Sequence, residues 1–573
     1  MDAEPTSKKR PAPRGTASYQ RKRAVAACQT CRSRKTKCDN QRPACSFCER
    51  AGATCIYATQ DLSAYDPASL AILDRLDQLE HNIKHHISSG PSTTSPLSSM
   101  SSHVNMLTPL ALEHEHHAQA NIIEDSHSAP DLDLLPITVE HVLSWPVFQG
   151  RFDNHTRLID LVKASPSLER PASVNFDLEM GVCDRLLEQC LEHVLSKNPI
   201  AQKDFLRSTM KNVCMNGPGW DAESCLVLLI CALGSIASPG ASQADWTMGR
   251  SYFAAAQRRI GMLIDSESLV APQCYFLIGV YFMYNLRPLD AWRTFAQAVV
   301  CMQPDSTRAL PSGHYSLEEC VYWSCWKSEV ELRTNFQIPS FGSIGNRYPQ
   351  HMPEPPATDP SHEPKWYYYL ADISLRRLDM VMRETVANIL GNSVGTGSRH
   401  VELARVIPAF EEQLRDWAGS MPNVFNVHNT EEMVLHSILQ GRLLDCYDVL
   451  YIPFLEATLS MASTTLDGAA VFDTYARKAL DNCVQRVHEN ENESAATIRH
   501  HGTWLLIRTW TRSALMVLAT RAAGRMDLLP ERWQQPIIAT TSVLNAYKNE
   551  AYDVADRLSL IRVLADEVGI ALA

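Results

Sequence analysis

From residue 137 onward, apolar side chains recur at i, i+3, i+4 and i+7 in successive blocks separated by short breaks, the period of a helix with one buried face. The spacing predicts helices over Cys183–Leu195, Ser224–Ile236, Met248–Ile264, Val270–Leu286, Pro288–Met302 and Leu317–Arg333. Further blocks follow at about 365–390, 400–418, 430–460, 470–488, 495–522 and 531–547. No segment alternates at period two over the length of a strand. Residues 137–573 are therefore expected to form an all-α body, as one large helical domain or two fused ones. The best apolar run, Cys274 to Tyr284, is interrupted by Gly279 and falls short of the about 18 residues that a membrane span needs. The N-terminus lacks the apolar core of a signal peptide, so a soluble intracellular chain with no membrane partner is expected.

Upstream the pattern changes. Residues 88–102 hold eight Ser, two Thr, two Pro and one Gly, too little apolar surface to fold, and 88–136 reads as a disordered linker. His114, His116 and His117 lie in that polar tract and read as ordinary low complexity. Asp125, Asp131 and Asp133 are mixed with Ile and Leu there, as in short activation segments. Before it, residues 56–66 form a polar linker, and Asp66-Pro67 is a helix start. Ile72, Leu76, Leu79 and Ile83 then repeat at spacings 4, 3, 4, which predicts a coiled-coil dimerisation helix over 67–87. The competing reading of that seam is an amphipathic helix docked on the body.

Charge separates the first 57 residues from the rest. They carry 13 Lys+Arg against 4 Asp+Glu, while the whole chain is at −11. A basic head on an acidic body suggests that the head meets a polyanion. Six of the 17 cysteines fall in this head, at Cys28, Cys31, Cys38, Cys45, Cys48 and Cys55, spaced C-x2-C-x6-C-x6-C-x2-C-x6-C. The last three repeat the first three at an offset of 17. Paired C-x2-C steps are a strong zinc signal. Two tetrahedral zinc ions need eight ligand positions, and six thiolates supply them only if two sulfurs bridge. With a duplicated half the bridging pair is Cys28/Cys45, Cys31/Cys48 or Cys38/Cys55. No position remains open for water, so the centre is structural and not hydrolytic.

In this spacing the sequence resembles the fungal transcription factors with a six-cysteine binuclear zinc cluster. The resemblance implies two zinc ions, Cys28 and Cys45 as the bridging pair, and Pro43 as the proline of the turn between the halves. It implies double-stranded DNA as partner, read at CGG-type triplets by the residues three and four after the second cysteine, Arg34 and Lys35. Guanine O6 and N7 are the natural acceptors for such cations. Lys35 is expected to contact a base; Arg34 stands where the family commonly has lysine. Arg32, Lys37, Arg42, Arg21, Lys22 and Arg23 are expected on phosphates.

Lys8-Lys9-Arg10 and Arg21-Lys22-Arg23, ten residues apart, read as a bipartite nuclear localisation signal for importin. Trp145 to Phe148, Tyr281 to Trp292 and Tyr322 to Glu329 resemble landmarks of the regulatory region that follows the cluster in this family, often called the middle homology domain. Their aromatic residues read as core packing more readily than as a ligand pocket. No H-E-x-x-H, G-x-S-x-G or P-loop is present; Gly391 to Ser398 is glycine-rich but lacks the lysine of a phosphate loop. The expectation is a nuclear, homodimeric, DNA-binding regulator of RNA polymerase II transcription that engages the transcription machinery and has no enzyme activity. Family members often control fungal biosynthetic gene clusters. The rival reading is a zinc-cluster adaptor or corepressor acting through protein partners.

Overall fold

The computed structural model describes residues 28–55 apart from Gln29, Arg32, Ser33, Lys35, Asn40 and Arg42. It also describes 135–572 apart from 136, 156, 167–175, 303–315, 340–352, 354–362, 392–395, 422–429, 461–468 and 489–497. The chain divides into two units, 1–122 and 123–573. In the first, Thr30 and Cys31 are helical, and α1 spans Ser46–Arg50.

The second unit is all-α, with no strand among its described residues. Two short helices, α2 (Val139–Leu143) and α3 (Leu158–Lys163), precede α4 (Met180–His193), α5 (Lys203–Asn216), α6 (Ala222–Ala237), α7 (Gln243–Gln257), α8 (Val270–Tyr284) and α9 (Pro288–Cys301). Then come α10 (Leu317–Phe336), α11 (Glu363–Gly391), α12 (Thr396–Ser420), α13 (Thr430–Ser460), α14 (Ala469–His488), α15 (Thr503–Ala522), α16 (Gln535–Tyr547) and α17 (Tyr552–Glu567). The periodic blocks fall on α4 and α6 through α16. α5, α17 and the two short helices lie outside those blocks.

Local signals explain many boundaries. Asp221 Oδ1 accepts the Ser224 N–H at 2.7 Å and caps α6. Ser242 and Asp245 form a capping box on α7, and Pro288 opens α9, where its missing N–H costs nothing. The block Met248–Ile264 does not continue as one helix. α7 ends at Gln257, and a 3₁₀ turn follows over Ile260–Leu263. Arg259 between them donates to the carbonyls of Ala255, Pro218 and Gly219, which holds the turn against the α5–α6 loop. The block 495–522 is helical from Thr503.

α6 is buried at every position except Glu223, and α8 at every position except Phe282, which is why these two lack a polar stripe. α6 lies against α4, α5, α7 and α8. A Cβ on Gly234 would stand 2.1 Å from the Leu186 carbonyl oxygen, so only glycine permits the approach of α6 to α4. Trp145 and Phe148 are core residues, and Tyr281 stacks on Phe253 with centroids 3.8 Å apart. Among the described residues, no helix is long and apolar enough to cross a membrane.

Buried ion pairs close the body over long sequence distances. Glu140 on α2 takes hydrogen bonds from Arg508 on α15 and Arg557 on α17. Glu431 at the start of α13 accepts from Ser196 and Lys197, and Asp448 on α13 pairs with Arg486 and Arg512. Each carboxylate satisfies cations from other elements, which an interior of low dielectric requires.

Candidate metal centre

The head is organised by its cysteines. The Cys31 N–H donates to Cys28 Sγ at 3.4 Å, and the Cys48 N–H donates to Cys45 Sγ at 3.5 Å. The offset of 17 in sequence is thus also a repeat in local structure, and in the second half Cys45 is the N-cap of α1. Gly52 follows α1 at φ +55, a conformation glycine adopts without strain. The chain then returns to Cys55, whose Sγ accepts the Cys45 N–H at 3.3 Å. Thr30 Oγ1 donates to the Thr54 carbonyl at 2.7 Å and ties the first half to the end of the second.

Sequence reasoning passed over two supporting residues. Asp39 accepts the Ser46 N–H at 3.2 Å and also the Ser46 hydroxyl, fixing the entry to α1; these bonds hold its carboxyl below the usual range. An acid shortly before a helix-starting serine is a weak signal. The Thr30–Thr54 bond leaves none.

Cys28, Cys31, Cys45 and Cys48 are buried, with their sulfurs all within 4.8 Å of one another. Cys45 also groups with Cys38 and Asp39. The Sγ–Sγ distances are 3.8 Å for Cys28–Cys45, 3.6 Å for Cys28–Cys48 and 3.5 Å for Cys31–Cys45. In a tetrahedral zinc thiolate site, a Zn–S length of about 2.3 Å sets neighbouring sulfurs about 3.8 Å apart. The sulfurs present therefore fit the ion. Suppose each half holds one ion. Sharing Cys28 and Cys45 then puts all three short pairs on a common metal. Sharing Cys31 and Cys48 would part Cys28 from Cys45, and sharing Cys38 and Cys55 would part all three.

The backbone also prepares the thiolates. The Cys48 N–H, helped by neighbouring sulfurs, holds the Cys45 thiol down at about 6, despite the opposing effect of desolvation. Cys28 accepts the equivalent bond from Cys31, but burial and the surrounding sulfurs outweigh it and leave that thiol above its ordinary value. A cation at the centre relieves this crowding, since metal binding deprotonates coordinating thiols. Of the cations expected on DNA, Arg34 and Lys37 are exposed. Arg32 and Lys35 lie outside the described residues, as do Arg21, Lys22, Arg23, Arg42 and the Lys8–Arg10 cluster. The seam Ile72, Leu76, Leu79 and Ile83 lies outside them too.

A small head built on cysteines, with sulfurs at zinc-site spacing, defines a structural zinc-cluster module. Residues 26–64 match the Fungal Zn(2)-Cys(6) binuclear cluster domain, and such a domain takes two zinc ions. The chain is similar to the Putative transcription factor ecdB of Aspergillus rugulosus, 29% identical over 47% of this chain and 45% of that protein. Shorter matches include the Oleate-activated transcription factor 1 of Saccharomyces cerevisiae, 36% identical over 14% of this chain and 8% of that one. Transcription factor FUP7 of Fusarium proliferatum is 60% identical over 6% of this chain and 15% of its own. The chain thus spans less than half the length of these curated relatives. No solved structure matches it.

Proposed function

We propose that the protein is a nuclear, sequence-specific DNA-binding regulator of RNA polymerase II transcription. The observation that carries this reading is the six-cysteine head. It combines the spacing and sulfur geometry of a binuclear cluster with an excess of cations, and the relatives matched to the chain are named as transcription factors. In this reading Cys28 and Cys45 bridge the two ions, and all six cysteines are ligands. Lys35 faces a base edge of a CGG-type triplet, Arg34 beside it takes a base edge or a phosphate, and Arg32, Lys37, Arg21, Lys22 and Arg23 hold phosphates. Residues 67–87 pair two copies through Ile72, Leu76, Leu79 and Ile83, which doubles the sequence read against an excess of non-specific sites. Lys8–Arg10 and Arg21–Arg23 bind importin. The helical body then serves as the regulatory part that meets the transcription machinery, and control of a fungal biosynthetic gene cluster fits the same reading.

The test is a selection of bound sequences from random DNA with the full chain, alongside Lys35→Ala and Lys22→Ala. The expected result is a motif containing CGG. Lys35→Ala should weaken specific binding by about 1–3 kcal/mol and relax one guanine, and Lys22→Ala should weaken all sequences alike with a shallower salt slope. Salt-sensitive binding without a motif would refute direct readout and leave the adaptor reading.

A further inference from the structure

Within Tyr322 to Glu329, Trp323 is fully buried core, as its pattern predicts. Its neighbours Trp326 and Lys327, however, line a cavity of about 190 Å³ between α10, α11, α13, α14 and α15. Part of the wall is apolar, including Val330, Leu375, Met380, Ile438 and Trp510. The rest is charged, and the charges do not cancel. Arg383 pairs with Asp379, and Arg486 and Arg512 are matched by Asp445 and Asp448. Among the described residues, the remaining cations, Lys327, Arg376 and Arg442, form ion pairs with Asp372 and Glu331, while the Asp445 charge also acts on Arg442.

Those contacts are close. Lys327 Nζ lies 2.9 Å from Asp372 Oδ2, Arg376 Nη2 lies 2.9 Å from Glu331 Oε2, and Arg442 Nη2 lies 2.5 Å from Glu331 Oε1. Arg376 Nε and Arg442 Nε both approach Asp372 Oδ1 at 3.0 Å. Counted over these described groups, one positive charge is left over in a wall where Lys327 is 4% exposed and Asp372 is 1% exposed. Burial and the neighbouring guanidinium groups push the Lys327 ammonium down to about 8, against the pull of Asp372. The Nε atoms of Arg442 and Arg512 are buried without an aligned hydrogen-bond acceptor. A buried uncompensated charge is costly, and a bound anion removes that cost.

We propose that this cavity binds a small aromatic monocarboxylate, its carboxylate supplying the negative charge missing beside Lys327, Arg376 and Arg442 and its ring lying against the apolar wall. The charge excess of one selects a monoanion, and the guanidinium groups suit a planar carboxylate. The volume sets the body: an engineered cavity of about 150 Å³ admits benzene, so this one takes a ring and a carboxylate. The indole of Trp510 and that of Trp326 favour an aromatic body over an aliphatic one. Gly441 on α13 is in the wall, and a Cβ placed there meets nothing within 4 Å, so a larger side chain at 441 grows into the space. This proposal is independent of the DNA-binding reading.

The experiment uses the full zinc-loaded chain, with thermal melting and calorimetric titration against benzoate, phenylacetate and 3-methylbutanoate, each beside its neutral amide. At least one aromatic acid should bind saturably, ten-fold or more tighter than its amide and tighter than 3-methylbutanoate. Arg442→Gln should abolish that binding. Gly441→Leu should abolish it as well while every charge in the wall is kept, so the result does not depend on whether Arg442→Gln folds. Equal binding of acids and amides would overturn the proposal. So would retained binding in a folded Gly441→Leu, or the absence of saturable binding by both aromatic acids at millimolar concentration.

Discussion

Replacing Glu140 with alanine should destabilise the helical body by about 3 kcal/mol, and two routes lead to that figure. The carboxylate is 7% exposed. It receives Arg508 Nη1 at 2.7 Å and Nη2 at 2.5 Å, with Arg557 Nη2 at 2.8 Å. Burial alone would raise its pKa, but the two guanidinium groups overcome burial and hold it at about 2 instead of 4.5; at neutral pH that displacement corresponds to about 3 kcal/mol. Independently, removing one partner of a buried ion pair costs about 3–5 kcal/mol, because the cations left behind stay desolvated. With an unfolding entropy of about 2 cal/mol/K per residue over roughly 440 residues, the melting temperature should drop by about 3 °C. Glu140→Gln keeps most of the shape and loses the charge, so it should cost nearly as much. The assay is urea unfolding followed by helical circular dichroism at pH 7 and pH 3. The carboxylate's contribution is complete above pH 4.5 and fades as pH falls toward 2, so the gap between wild type and Glu140→Ala should shrink by more than half at pH 3. A gap under about 1 kcal/mol at pH 7, or one unchanged at pH 3, would refute the reasoning.

Further outcomes follow from the same geometry. Native mass spectrometry should find two zinc ions on the wild type, one on Cys55→Ala and none on Cys45→Ala; one retained ion in Cys45→Ala would exclude its role as a shared ligand. His500 is buried and neutral, with burial and the Lys197 charge holding its imidazole at about 3 instead of 6.5. The unfolded chain takes up that proton first, so stability should fall as pH drops through 6.5, and His500→Asn should flatten the slope between pH 7 and pH 5 in denaturation curves. Gly234→Ala should cost about 1–3 kcal/mol through its clash with the Leu186 carbonyl. Gly441→Ala, whose Cβ meets open space in a helix interior, should instead gain about 0.5–1 kcal/mol. Melting curves giving both substitutions the same sign would count against the packing described.

The zinc centre was legible from sequence because its information is local. Cysteine spacing over 28 consecutive residues already points to a two-zinc cluster, in which six thiolates suffice only with two shared sulfurs. Which sulfurs are shared was not legible from spacing alone, since three pairs satisfy the same arithmetic; the distances among Cys28, Cys31, Cys45 and Cys48 favour the Cys28/Cys45 pair proposed above. Most helices with one apolar face were legible, because the period of a half-buried helix is written in consecutive residues, although α5, which buries Leu206, Met210 and Val213 on one face, was passed over. The single block Met248–Ile264 was not a single helix, because the break is set by Arg259 reaching carbonyls about 40 positions away.

The remaining decisions belong to tertiary structure. Glu140 and Arg508 are 368 positions apart, Lys197 and Glu431 are 234 apart, and Lys327 and Asp372 are 45 apart. In the sequence nothing marks any of them as one half of a buried pair. Whether such a side chain meets solvent, a counter-ion or a cavity depends on which helix packs over it, and neither composition nor period encodes that. Trp326 and Lys327 show the limit: their pattern is that of a buried face, while the cavity beside them exists because five helices meet without filling the space. The sequence by itself determined the zinc-cluster module and the helical class, through spacing and period. The fold alone decided which charges are buried and how they balance, because burial is a property of neighbours brought together from distant positions.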